Sequence, residues 1–494
     1  EMRGIIMNKL QEVAKLDSAL KYTENGAIAY NTTNNSLIDL FGVIGSLRSR
    51  DEDEIIEKFQ SAFNQDKELA VKMMFYAGDI RHGGLGERRT FRIILRWLAQ
   101  NYPSIVGDNI CLIPLLNRWD SIFELIDTPC EQQMWQVIKD QIIQDFDQLV
   151  YNQPISLLGK WLPSINTSSE KTRKLAKRIA KAVGYKDERG YRHLLSILRR
   201  EIRVTERQMS LNQWERINFE AVPSYAMKNY TNAFEEHQPE RFTKYLADVR
   251  LHKQMIKAGT LYPYDLVRPI IMQKNSSTNE LQWNALPNYI DKESNILVMT
   301  DVSGSMYITD FRPISASIGL AIYFAERNKG PLHNVYMTFT NEPHFQYINE
   351  NDSLKTKVQK VLRTDYGLNT NLEKAFEYLL QVAQVYEFTQ KDMPAAIVVI
   401  SDMEIDSPQY QNTDFFKLMK TKYAQAGYKL PKLVLWNVEA RNDTFLSQDN
   451  NIIKVSGSSV STFKHLIGNL NGKTDWDIMI ETLDNPWYNK VKVN

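Results

Sequence analysis

From about residue 290 onward, short apolar runs alternate with helical stretches, and this alternation limits the possible folds more than any other feature of the chain. The runs are Asn295–Thr300, Val335–Phe339, Ala396–Ile400, Lys432–Trp436 and Ile452–Val455. Between them lie Ile314–Glu326, Asn371–Tyr386, Thr413–Gln425 and Val460–Ile467, which place apolar residues three and four apart. A strand that is short and apolar throughout is shielded from water on both faces. That is the condition of a parallel sheet covered by helices on both sides. The pattern predicts a doubly wound, Rossmann-like α/β domain, whose ligands bind beyond the carboxyl ends of the strands.

The first 285 residues lack this alternation. Ile55–Phe63, Glu68–Ala77, Thr90–Ala99, Met134–Phe146, Ser169–Val183 and Tyr191–Met209 carry helical periodicity instead. Short breakers such as Gly83-Gly84-Leu85-Gly86, Asn101-Tyr102-Pro103 and Gln153-Pro154 separate them. Many short helices with tight connections predict an all-α array, although no fixed repeat period is visible. A chain of 494 residues exceeds one ordinary core. The expectation is a multidomain protein, with a helical domain over residues 1–285 and an α/β domain over residues 286–494.

Composition excludes several classes. With 43% hydrophobic and 24% charged residues the chain is neither disordered nor a membrane bundle. Its apolar runs fall far short of the roughly 20 residues a spanning helix needs. The opening Glu1-Met2-Arg3-Gly4 shows no export signal, and two cysteines cannot form a disulfide framework. Cys111 and Cys130 are expected to be reduced, buried and structural, in a cytoplasmic setting.

The stretch Asn295-Ile-Leu-Val-Met-Thr-Asp301-Val-Ser303-Gly-Ser305-Met carries the chemistry. A buried strand ends, and the following loop offers a carboxylate and two hydroxyls at alternate positions. Thr370 precedes the predicted helix at Asn371, and Asp402 follows the run Ala396–Ser401. Three loops at one sheet edge would then supply Asp301, Ser303, Ser305, Thr370 and Asp402. Such oxygens suit a hard divalent cation, Mg²⁺ before Mn²⁺ or Ca²⁺.

Enzyme motifs fit less well. An aspartyl-phosphate phosphatase wants an acid where Ser303 stands. Gly468-Asn-Leu-Asn-Gly472-Lys473-Thr474 has three residues between its glycines, one fewer than a phosphate loop. The reading is a binding protein and not an enzyme.

The order Asp-x-Ser-x-Ser, then Thr, then Asp at strand ends resembles the von Willebrand factor A domain and its metal-ion-dependent adhesion site, over roughly residues 290–470. The resemblance implies that the two serines and the threonine coordinate the metal. The aspartates bind it directly or through water, and an acidic residue of a protein partner completes the shell.

Net charge is only +1, yet residues 171–207 hold 13 basic and 4 acidic side chains. Lys174, Lys177, Arg178 and Lys181 share one helical face, joined by Lys171 and Arg173 and continued by Arg192, Arg199, Arg200, Arg203 and Arg207. A phosphate backbone would suit that surface, and so would acidic neighbours from elsewhere in the fold. The glycine-rich Gly78–Arg89 reads as a helix connection needing positive φ.

Asp79-Ile-Arg-His-Gly-Gly-Leu-Gly-Glu-Arg-Arg89, Leu158-Gly-Lys160-Trp161-Leu-Pro-Ser164 and Ala258-Gly-Thr-Leu-Tyr-Pro263 resemble a TROVE-type helical module. Paired with a C-terminal A domain, the chain is similar to the Ro autoantigen group, and most to an uncharacterised branch in plants, fungi and giant viruses. The resemblance implies a HEAT-like helical-repeat ring bridged by the A domain. It also implies RNA binding in a ribonucleoprotein, with small structured or defective non-coding RNA as ligand.

Overall fold

The computed structural model of the chain describes residues 20–22, 28–30, 33–202, 204–274, 276–288, 290, 295–339, 342–363, 372–402, 415–438, 452–457 and 474–493. They fall into two units. A sheet unit comprises residues 1–66 and 261–485, and a helical unit comprises residues 67–260 and 486–494.

In the sheet unit, β1 (Leu20–Tyr22) and β2 (Ile28–Tyr30) pair antiparallel, with Leu20 opposite Tyr30. The main sheet has six strands: β3 (Ile296–Thr300), β4 (Val335–Thr338), β5 (Phe345–Tyr347), β6 (Ala396–Ser401), β7 (Lys432–Asn437) and β8 (Ile452–Ser456). Their order is β5-β4-β3-β6-β7-β8. Every pairing is parallel except that of β4 with β5. The mixed α/β architecture thus follows the strand–helix alternation. β5 is an addition at the sheet edge, where Tyr347 is largely exposed.

β3 and β6 occupy the centre and are buried at every position, as their unbroken apolar sequences require. Odd-numbered residues of the central strands, including Leu297, Met299, Ile397, Val399, Leu433 and Leu435, share one core with Phe376, Leu379, Met419 and Tyr423. Those partners come from helices Leu372–Val385 and Phe415–Gln425. The opposite face meets helix Ile308–Arg327, through a Thr300–Ser317 hydroxyl contact at 2.9 Å and Phe324 against Trp436.

The unit also recruits segments assigned from sequence to the helical domain. Helix Ser36–Val43 is capped by Asn35, and the Gly45 N–H that follows it donates to Ser456 Oγ of β8 at 2.9 Å. A Cβ on Gly45 would stand 2.5 Å from the Ser456 carbonyl oxygen, so a side chain there would push the two segments apart. Helix Pro263–Ile271 packs on Ile308–Arg327 at Gly319, and Trp283 donates to Glu326 at 2.9 Å. The compact units therefore do not divide at residue 285/286. Periodicity reveals that a helix has an apolar face, but not which partner covers it.

In the helical unit the expected helices form, among them Lys67–Gly78, Arg88–Asn101, Glu131–Val150 and Glu170–Ala182. The single helix expected over Tyr191–Met209 is two, Glu188–Glu201 and Thr205–Ser210. Arg88–Asn101 shows how they hold: Phe91, Ile94, Leu95 and Leu98 are buried on one stripe.

The glycine-rich loop is a built connection. Gly83 and Gly86 have φ of 95° and 68°, and a Cβ on Gly84 would meet the Tyr76 carbonyl oxygen at 2.5 Å. Asp79, fully buried, accepts from the Arg81 and His82 backbone N–H groups at 2.8 and 3.1 Å. The C-terminal segment fastens the loop further. Tyr488 donates its hydroxyl to Asp79 at 2.8 Å, and Trp487 packs on the His82 ring. Asn109 exchanges hydrogen bonds with the Lys492 backbone at 2.6 and 2.9 Å. Burial and the Asp79 carboxylate push the Tyr488 hydroxyl pKa up, so it stays a donor. Cys130 is buried as expected, whereas Cys111 is exposed, in a turn before Leu112–Leu116. Among the described residues no helix is long and apolar enough to cross a membrane.

Candidate metal centre and basic helical surface

Parallel register brings the first site together. Thr300 of β3 lies opposite Ile400 of β6, so the residues after both strand ends meet at one edge of the sheet. The Asp301 N–H donates to the Ile400 carbonyl oxygen at 3.2 Å and to Ser317 Oγ at 3.0 Å. Asp301 is fully buried. One of its oxygens accepts from the Ser303 N–H at 2.9 Å, which folds the loop back over the strand end. The other accepts from Ser401 Oγ at 2.5 Å. The Ser303 and Ser305 hydroxyls lie 3.0 Å apart, on the turn containing the exposed Gly304. Asp402 follows β6 directly and is 2% exposed.

The electrostatics around Asp301 are those of buried, like charge at close range. Burial, then the nearby Asp402 carboxylate, push Asp301 up to about 7, against the lowering effect of hydrogen bonds from Ser401 and Ser303. Among the described residues no lysine, arginine or histidine forms a salt bridge with Asp301. Two buried carboxylates beside two adjacent hydroxyls fit a hard divalent cation, which would relieve their repulsion and take oxygen ligands. Asp301, Ser303, Ser305 and Asp402 are the residues that could hold it.

Thr370 lies outside the described residues. Ser317 and Ser401, which orient the Asp301 backbone and carboxylate, were missed from sequence. Ser401 could have been noticed as the last residue of its strand. Ser317 sits mid-helix with no local signal. Among the described residues no group of three or more His, Cys, Asp or Glu could hold a metal, so this candidate centre rests on two carboxylates and two hydroxyls.

The basic stretch behaves differently. Arg178 reaches Asp127 at 2.7 Å and Glu131 at 2.8 Å, Lys177 reaches Glu188 at 2.9 Å, and Lys174 reaches Glu170 at 2.8 Å. Arg200 pairs with its neighbour Glu201. Arg173 donates to the Thr167 and Ser168 carbonyls. The Arg199 guanidinium is spent on the Gly159 and Leu162 carbonyls and the Ser164 hydroxyl, at 2.9, 2.6 and 2.7 Å. Lys171 and Lys181 are exposed, Arg192 donates to the Asn166 amide oxygen at 3.4 Å and its charge helps lower the Glu188 pKa, and Arg203 lies outside the described residues. The predicted continuous basic face is thus largely neutralised or structural.

Positive charge survives elsewhere in the unit. Arg118 grips Asp120, which also faces Arg92 at 2.9 Å and Arg88 at 3.5 Å. Arg92 and Arg96 reach Glu124 at 3.8 and 3.7 Å. Within salt-bridge distance four guanidinium groups share two carboxylates, and Arg96 also acts on Asp127, which is itself paired with Arg178. Burial, then Arg118 and Arg92, lower the Arg88 pKa, a sign of crowded like charge.

Comparison with known proteins gives the following. The model of a domain of unknown function, DUF2828, matches residues 23–118 and 134–296. That of a second domain of unknown function, DUF7788, matches residues 295–489. An uncharacterised protein of Acanthamoeba polyphaga mimivirus is 27% identical over 524 aligned residues, which cover 96% of this chain and 89% of that protein. Among solved structures, the crystal structure of the Ro (RSR) protein of Deinococcus radiodurans aligns with 92% of this chain and 99% of its own, at 14% identity and a TM-score of 0.38.

Proposed function

For a chain that belongs to the DUF2828 family, we propose a non-enzymatic binding role: it is the RNA-binding component of a ribonucleoprotein, taking small structured or defective non-coding RNA on its helical unit. The sheet unit, read as a von Willebrand A domain, holds a divalent cation, most readily Mg²⁺. The helical array is read as a HEAT-like ring, in line with the TROVE resemblance of Asp79–Arg89 and Leu158–Ser164.

The observation that carries the RNA reading is the guanidinium excess around Asp120 and Glu124. A half-buried group of cations with too few acids lowers its energy when a polyanion supplies the missing charge. The test is a gel-shift titration of structured RNA across a salt series. Counterion release makes such affinity fall steeply with salt. Absent or salt-insensitive binding would remove the reading.

A second reading rests on the metal centre. The cation, once bound beside Asp301 and Asp402, captures an acidic residue of a protein partner. Calorimetric titration of Mg²⁺, followed by an acidic peptide, checks it. Peptide binding that persists in EDTA, or in Asp301→Ala and Ser303→Ala variants, counts against it.

A further inference from the structure

The helical unit contains a cavity of about 640 Å³. That lies within the range of roughly 300–1,000 Å³ typical of small-molecule sites. It sits among helices Leu158–Trp161, Glu188–Glu201 and Thr205–Ser210. Lys160, Trp161, Asn166, Arg192, Arg199 and Arg207 supply its polar and aromatic wall.

Two properties separate this cavity from the neutralised face nearby. First, among the described residues Lys160, Arg192 and Arg207 form no salt bridge, unlike Lys174, Lys177 and Arg178. The one carboxylate in the wall, Glu206, already accepts from the Tyr230 hydroxyl at 3.2 Å. Second, the aromatic element is held in place. The Arg118 guanidinium lies 3.6 Å from the centre of the Trp161 ring, and Arg118 is itself anchored on Asp120. Arg199 ties down the Gly159–Ser164 turn that carries the indole. The wall is therefore a fixed frame with spare positive charge at its rim.

That combination recognises a flat ring joined to a phosphate. A bare anion would gain nothing from the indole, and an apolar ligand would gain nothing from Lys160, Arg192 and Arg207, of which Lys160 lies 5.5 Å from the Trp161 ring centre and Arg192 acts weakly on Glu188. We infer that the cavity is a single-nucleotide subsite for single-stranded RNA. Lys160, Arg192 and Arg207 hold the phosphate, and the base lies against Trp161. The inference rests on the RNA-binding reading and names the place on the helical unit where a strand engages.

Fluorescence anisotropy of a labelled short oligouridylate with the full chain tests it. The Lys160→Glu/Arg207→Glu double variant is expected to bind about a hundredfold more weakly, with a salt slope shallower by about 1.4, the loss of two single-strand phosphate contacts. Trp161→Leu should lose about tenfold at an unchanged salt slope, as a stacking contact does. Lys174→Glu, on the neutralised face, should stay within about twofold. The double variant alters partly exposed cations and keeps the test alive even if Trp161→Leu perturbs folding. Oligouridylate binding untouched by the double variant overturns the subsite. So does inorganic phosphate competing as well as uridine monophosphate, because the base would then contribute nothing. If structured RNA binds but oligouridylate does not, the subsite falls and the RNA reading stands. If neither binds, both fall.

Discussion

The rim of the sheet and the surface of helix Glu170–Ala182 both stood out in sequence, the rim more sharply, and the fold treats them in opposite ways. At the rim, residues a hundred positions apart converge, because parallel register forces the ends of β3 and β6 together. On the helix, a dense run of cations is met by carboxylates from outside it, Asp127 and Glu131 among them. Acid concentrates where the backbone fixes it and water is excluded. Base on an exposed helix is free to find its own counter-ions. Charge density in sequence is therefore a weak guide to where charge stays uncompensated, while polar residues at the ends of adjacent buried strands are a good guide to which side chains the fold brings together.

The comparison can be broken at several points. The largest effect is expected from the metal. With Mg²⁺ at a hundred times its dissociation constant, the folded state should gain about 2.7 kcal/mol. Asp301→Asn should abolish that gain without lowering the melting temperature in EDTA, because it removes half of a repelling pair. A variant that melts earlier in EDTA yet keeps its Mg²⁺ response would show the carboxylate to be structural only.

Next comes Asp79→Ala, which strips acceptors from the Arg81 and His82 N–H groups and from Tyr488. A loss of about 2.5 kcal/mol in urea denaturation is expected, and about 1 kcal/mol for Tyr488→Phe. Arg199→Ala, leaving two carbonyls and a hydroxyl without their donor, should cost about 2 kcal/mol, and Arg199→Lys should not restore it. Smallest is Arg178→Ala. An exposed pair of this kind contributes at most about 1 kcal/mol, and RNA affinity should not change. A large loss of affinity on Arg178→Ala would reinstate the helix face as the contact surface.

Much of this was legible in the residues, for physical reasons that differ by region. The strands β3, β6 and β7 were visible because burial on both faces demands a nearly unbroken apolar sequence, and β8 because Ile452, Ile453 and Val455 flank its one lysine. Asp301, Ser303, Ser305 and Asp402 were visible because they sit just past strand ends. β5 was not, since Phe345-Gln346-Tyr347 is a short, half-exposed edge strand without a full alternation. The pair β1–β2 was also missed, although Asn25-Gly26, a favoured turn dipeptide, stands between the paired segments. The unit boundary was illegible because Ser36–Val43 and Pro263–Ile271 have the same periodicity as helices of the other unit. What distinguishes them is a close approach at Gly45 or Gly319, and a glycine does not announce its neighbour. The break between Glu201 and Thr205 contains neither glycine nor proline, so nothing local marked it.

The hydrogen bond from Tyr488 to Asp79 spans 409 positions. A ribosome delivers the acceptor early and the donor only after every residue of the sheet unit has been made. Until then the Asp79 loop lacks one of its partners, so the helical unit cannot reach its final form during translation. No single cut in the chain separates the two units as complete pieces, and expressing residues 67–260 alone should yield an array that opens more readily at that loop.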